Sequence, residues 1–170
     1  EMRERVAKLL GEGGAEGLTV STFHAMGMRF LEIEHAKVGL RRGFSILGED
    51  DSRALIKDLA PKGAGNDLLD RWRSLIGRAK NQGLNPEQAL ARSQTPRERE
   101  AAELYASYAQ RLTAFNAVDF DDLIALPVRV LENFDEVREK WQRKLRYLLV
   151  DEYQDTNDAQ YRLLRLLSGE

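Results

Sequence analysis

The stretch YLLVDEYQDTN, residues 147–157, constrains this chain most. Four residues that favour burial, Tyr147, Leu148, Leu149 and Val150, run directly into Asp151, Glu152, Gln154 and Asp155, with Tyr153 as the apolar interruption. A short apolar run ending in a polar cluster reads as a buried strand that delivers its carboxyl end to a turn. In an open α/β sheet, that end faces the crevice where ligands bind. Adjacent carboxylates at a strand end point different ways. This suits one of Asp151 and Glu152 to Mg²⁺, directly or through water, and the other to polarising an attacking water. Mg²⁺ takes one or two protein carboxylates and fills its shell with waters and nucleotide phosphates. On these residues alone, an acidic strand-to-helix turn with Asp155 or Asn157 as helix cap is an equal alternative.

The rest of the chain is helix upon helix. "LTVST" (18–22) reads as a short strand, and Ser21 or Thr22 can cap a helix whose Phe23, Met26, Phe30 and Ile33 turn inward at spacings of three and four. A glycine-punctuated connection follows, with a short extended segment at 44–47. Asp50 or Asp51 caps the next helix, which Pro61 and Gly63 stop. Leu68, Leu69, Trp72, Leu75, Ile76 and Ala79 mark one face of another helix, ended near Gly83. Asn85 with Pro86 starts a short helix, and Thr95 with Glu98 forms a capping box ahead of a long one. Asp119 is a plausible cap for a helix that Pro127 should kink or break. The order is β–α, a helical block, then α–β–α. This is an α/β chain dominated by helices, with a helical insertion inside an α/β unit.

Composition excludes several classes. With 42% hydrophobic and 32% charged residues the chain is globular in character, and its zero cysteines rule out disulfides and thiolate metal sites. No apolar run approaches the ~18 residues that span a membrane. A reducing cytoplasmic setting fits. The net charge of −2 gives no global attraction to nucleic acid, so any such binding must come from local basic faces.

"LLVDEYQDTN" followed by "AQY" resembles the DExx box of superfamily 1A DNA helicases, the UvrD/Rep/PcrA group. Other segments carry the same resemblance, in order. "EMRERV" looks like the tail of the helix after the first single-strand-binding motif, and "STFHAMGMRFL" like the Thr-Phe-His motif. "VDFDDLIALPVRVLENFDEVREKWQRKLRYLLVDEYQDTN" is similar to the approach to the DExx box, in wording closest to the Rep branch. Both ends of the chain match strongly, whereas the middle shares only a helical layout.

The resemblance implies a partial P-loop NTPase (RecA-like) unit. Residues 1–38 would be part of subdomain 1A, 39–117 the helical subdomain 1B insertion, and 118–170 the return to 1A with the DExx box. It implies an ATP-dependent 3′→5′ DNA helicase using ATP and Mg²⁺. Asp151 would coordinate the metal, Glu152 would act as base or water-orienter, and Gln154 would link the nucleotide site to neighbouring motifs. Single-stranded and forked duplex DNA would be the substrates, with replication or repair proteins as further partners. Thr22 and His24 match positions near the DNA backbone, where a hydroxyl, an imidazole and helix-start N–H groups make a phosphate cradle. A locally hydrogen-bonded His24 is the plainer reading, and Phe23 reads as core. In the 1B-like block, Arg41, Arg42, Lys62, Arg73, Arg78 and Lys80 are candidate DNA contacts or ordinary solvated charges. "DFDDL" reads as an acidic helix start, favoured by the helix dipole, in preference to a second metal site.

A motor of this class needs G-x-x-x-x-G-K-[ST] to hold the ATP phosphates. The glycine-rich run "GEGGAEG" (11–17) lacks the Lys and hydroxyl, carries two glutamates and precedes a strand, so it reads as a turn. The P-loop is expected upstream of residue 1 and the later motifs beyond residue 170. The 170 residues alone are expected neither to hydrolyse ATP nor to unwind DNA, and their strands to be rearranged or exchanged between copies. Two other readings are a non-enzymatic helical interaction module and part of a helicase–nuclease.

Overall fold

The computed structural model describes residues 18–144, 147–150 and 157–169. The elements run β1 (Leu18–Ser21), α1 (Phe23–Glu34), a 3-10 turn (His35–Val38), β2 (Ser45–Leu47), α2 (Glu49–Leu59) and α3 (Asn66–Asn81). Then follow α4 (Pro86–Arg92), α5 (Pro96–Ala114), β3 (Ala117–Asp119), α6 (Asp122–Asn133), α7 (Asp135–Lys144), β4 (Tyr147–Val150) and α8 (Asp158–Ser168). Helices dominate, and the strands form two parallel pairs, β1 with β4 and β2 with β3. Residues 1–10 and the "GEGGAEG" turn lie outside the described residues.

Local sequence sets most helix starts. Thr22 Oγ1 accepts the Ala25 N–H at 3.1 Å to cap α1. Asn85, Thr95 and Asn157 each close a reciprocal capping box, with Gln88, Glu98 and Gln160 respectively. Each satisfies N–H groups that a helix leaves orphaned. At α2 the cap is Gly48, and Asp50 and Asp51 lie inside the first turn, where the positive end of the helix favours them.

Among the described residues, two apolar cores result. Phe23, Phe30, Leu31, Val118, Leu131, Trp141 and Leu163 belong to one, built from α1, β3, α6, α7 and α8. Ile56, Leu69, Trp72, Ile76, Tyr108 and Leu112 belong to the other, built from α2, α3 and α5. On α1 the inward stripe passes through Leu31, which is fully buried, and leaves Ile33 48% exposed, so the assignment of Ile33 to the core is corrected.

Three further expectations are revised. β1 and β4 pair with each other in parallel register, Leu18 with Tyr147 through Ser21 with Val150, so they need neither rearrangement nor exchange to find a partner. Asp119 does not directly precede α6: it ends β3, pairs with Leu47 of β2 and is fully buried, and from there its Oδ1 accepts the N–H of Asp122, the first residue of α6, at 3.0 Å. Pro127 sits inside α6 without breaking it. Pro127 lacks the N–H that would bond the Leu123 carbonyl, and Gly27 of α1 packs against that carbonyl: a Cβ on Gly27 would stand 1.7 Å from Leu123 O.

Candidate functional site

Parallel pairing of β1 and β4 brings two candidate motifs to the same edge. Ser21 is opposite Val150, so the chain leaves both strands at the same end. Thr22, Phe23 and His24 follow one strand and Asp151 and Glu152 the other. Asp151, Glu152, Gln154 and Asp155 themselves lie outside the described residues. Beyond them, Asn157 caps α8, and the Ala159 N–H in its first turn is taken by Asn81 Oδ1 of α3 at 3.2 Å.

On the Thr-Phe-His side, Phe23 is core. His24 is exposed and meets Phe120 edge to face, with ring centroids 5.9 Å apart. Phe120 is itself 39% exposed. An exposed aromatic ring beside an exposed imidazole at a helix start offers a stacking surface and a hydrogen-bonding group together. Sequence reading passed over Phe120. Its apolar character among three aspartates in "DFDD" is the signal that could have marked it.

The basic candidates divide. Arg41 and Arg42 are exposed, and the Arg41 backbone is fixed by Asn116, whose Oδ1 accepts its N–H at 2.9 Å and whose Nδ2 donates to its carbonyl at 3.2 Å. Lys62 and Arg78 are exposed as well. Lys80 is not available to DNA: it is 5% exposed, with Nζ 2.8 Å from Asp119 Oδ2 and 2.9 Å from Asp122 Oδ1. Arg73 is committed too, to Asp121 Oδ2 at 2.9 Å and Glu49 Oε1 at 3.3 Å. Both leave the set of DNA contacts because carboxylates already occupy them.

The acidic turn is therefore a lock. Asp119 Oδ1 accepts the Asp122 N–H at 3.0 Å, and Asp122 Oδ2 accepts the Asp119 N–H at 3.2 Å. Tyr108 Oη donates to Asp119 Oδ2 at 2.8 Å. Burial disfavours the charge on Lys80, but Asp122 and Asp119 outweigh it and hold the ammonium above its ordinary pKa. Burial likewise opposes ionisation of Asp119, and Lys80 overcomes it, leaving this carboxyl below its ordinary value. At Asp122 burial wins and pushes the carboxyl up to about 6, with Asp119 adding to the rise and Lys80 opposing it. Among the described residues no group of His, Asp or Glu could hold a metal ion, and the ammonium of Lys80 fills the place a cation would take in "DFDD".

A family profile described as the UvrD/REP helicase N-terminal domain matches residues 1–170. The chain belongs to that family. Over 172 residues it is 45% identical to the ATP-dependent DNA helicase Rep of Salmonella typhimurium, covering 100% of this chain and 26% of that protein. It is 45% identical to Rep of Escherichia coli over 171 residues, 99% of this chain and 25% of that one. With the ATP-dependent DNA helicase UvrD1 of Mycobacterium tuberculosis, identity is 43% over 177 residues, 99% of this chain and 23% of the relative. The chain thus spans about a quarter of the length of the curated relatives it matches. Within the UvrD/REP family, the resemblance read from the DExx box, the Thr-Phe-His segment and "DFDDL" therefore holds over the whole chain.

Proposed function

We propose that this chain is a segment of an ATP-dependent 3′→5′ DNA helicase that unwinds duplex DNA in replication or repair, acting in the cytoplasm on single-stranded and forked DNA. The supporting observation is the whole-chain match, at 45% identity, to proteins named ATP-dependent DNA helicase. In this reading residues 1–38 and 118–170 are parts of RecA-like subdomain 1A, and 39–117 are the 1B insertion. The two separate apolar cores, with Val118 in one and Ala117 in the other, agree with a boundary there.

The donor set fits Mg²⁺–ATP. In the sequence, Asp151 and Glu152 directly follow β4, and carboxylates are the ligand type Mg²⁺ prefers. Asp151 would hold the metal, which supplies charge neutralisation at the phosphates, and Glu152 would orient and deprotonate the attacking water. Gln154 would relay the state of this site to its neighbours. On the DNA side, Thr22 and the start of α1 would take backbone phosphate, and His24 with Phe120 would meet a base. Exposed Arg41 and Arg42 remain as phosphate contacts on the insertion.

Strand displacement on a duplex with a 3′ single-stranded tail tests the reading. The full-length protein should separate the strands only with ATP and Mg²⁺, and the 170-residue chain should not. Unwinding from a 5′ tail alone, or without ATP, would refute the assignment.

A further inference from the structure

The acidic turn is moulded by one helix face. Arg73, Gly77 and Lys80 fall at spacings of four and three on α3, a single side of that helix. Arg73 Nη1 donates to Asp121 Oδ2 at 2.9 Å, and Lys80 Nζ reaches both Asp119 and Asp122. Gly77 leaves the room between them, since a Cβ there would stand 3.2 Å from both Arg73 Nη1 and Asp121 Oδ2. Within 119–122, Phe120 alone has a side chain not tied to α3, and it stands outward against His24. The reciprocal bonds between Asp119 and Asp122 fix the backbone on either side of it.

A buried Lys–Asp–Asp cluster is a poor source of stability, because apolar side chains of similar volume often serve as well or better. What such a cluster can supply is one defined geometry. A ring whose backbone is already fixed loses less freedom when a base stacks on it.

We propose that Lys80 and Arg73 are positioning residues: from α3 they hold the Asp119–Asp122 turn so that the Phe120 ring stands beside His24 as a stacking platform for an unpaired DNA base. This rests on the DNA-binding reading above. Lys80 is buried, so its effect on binding runs through Phe120 and not through a phosphate. Its loss should weaken binding without changing the salt dependence, which counts phosphates neutralised.

The test uses the full-length protein and a single-stranded oligonucleotide carrying 2-aminopurine, whose fluorescence reports stacking. Phe120→Ala should weaken binding about tenfold and abolish the stacking signal. Lys80→Met should weaken binding several-fold, keep the parent's slope of log affinity against log salt, and add nothing in the Phe120→Ala background. Should Lys80→Met fail to fold, Arg73→Lys serves: it keeps the charge, loses the fork, and should reduce the stacking signal with an unchanged salt slope. Multiplying effects of Lys80→Met and Phe120→Ala, or of Arg73→Lys and Phe120→Ala, would overturn the positioning role, as would a shallower salt slope in either α3 variant. Parent-like binding by Phe120→Ala would instead refute the DNA reading of this face, and the inference with it.

Discussion

Asn81, the last residue of α3, accepts the backbone N–H of Ala159 at 3.2 Å, in the first turn of the helix that follows the acidic box. The preceding residue, Lys80, holds Asp119 and Asp122. Consecutive side chains thus tie the end of α3 to the Asp119–Asp122 turn and to the first turn of α8. Asn81→Ala leaves the Ala159 N–H without that acceptor and should cost about 1 kcal/mol. Urea unfolding of the chain, compared with the parent, measures it.

Asp122 gives the stability a pH signature. Its carboxyl titrates at about 6 in the folded protein against 3.8 for an unperturbed side chain, so between those values the folded state holds a proton that the unfolded state has lost. From this group stability falls as pH rises from about 4 to 6. Asp119, held low by Lys80, acts oppositely, and its contribution is lost only as pH falls below the ordinary carboxylate range. Lys80 from α3, Asp119 from β3 and Tyr105 and Tyr108 from α5 surround the site. Asp122→Asn should therefore flatten the pH 4–6 decline, as read by thermal unfolding across that range. An unchanged slope would contradict the assignment.

Gly27 is the contact point between α1, which carries the Thr-Phe-His motif, and α6. A methyl group there would meet the Leu123 carbonyl, a backbone atom that cannot rotate away. Gly27→Ala should destabilise by at least about 2 kcal/mol despite the better helix propensity of alanine. Denaturant midpoints of the two proteins decide it.

Much of the fold was legible because it is local. Thr22, Asn85, Thr95 and Asn157 announce their helices within three residues; Thr22 accepts the Ala25 N–H, and the other three close reciprocal capping boxes. Periodicity found the stripe on α1 but misplaced one edge of it, exposing Ile33 and burying Leu31, because a period fixes spacing and not which neighbour covers the face. The lock was illegible for a different reason. Lys80 and Asp119 are far apart in sequence, and alone Lys80 reads as a DNA contact or solvated charge and Asp119 as a helix cap; only the pairing of β2 with β3 and the packing of α3 make them a buried pair. Asp119 read as a helix cap because its Asp-x-x-Asp pattern does satisfy N–H groups, though from the end of a strand.

In the proposed motor, the carboxylates that follow β4 in sequence would run an ATP hydrolysis that DNA stimulates. The most direct measurement is single-turnover ATP hydrolysis by the full-length protein and its Glu152→Gln variant, with and without single-stranded DNA. The parent should be stimulated by DNA, and the variant should bind Mg²⁺–ATP but hydrolyse it at least about 100-fold more slowly. Hydrolysis by Glu152→Gln at the parent's DNA-stimulated rate would contradict the account.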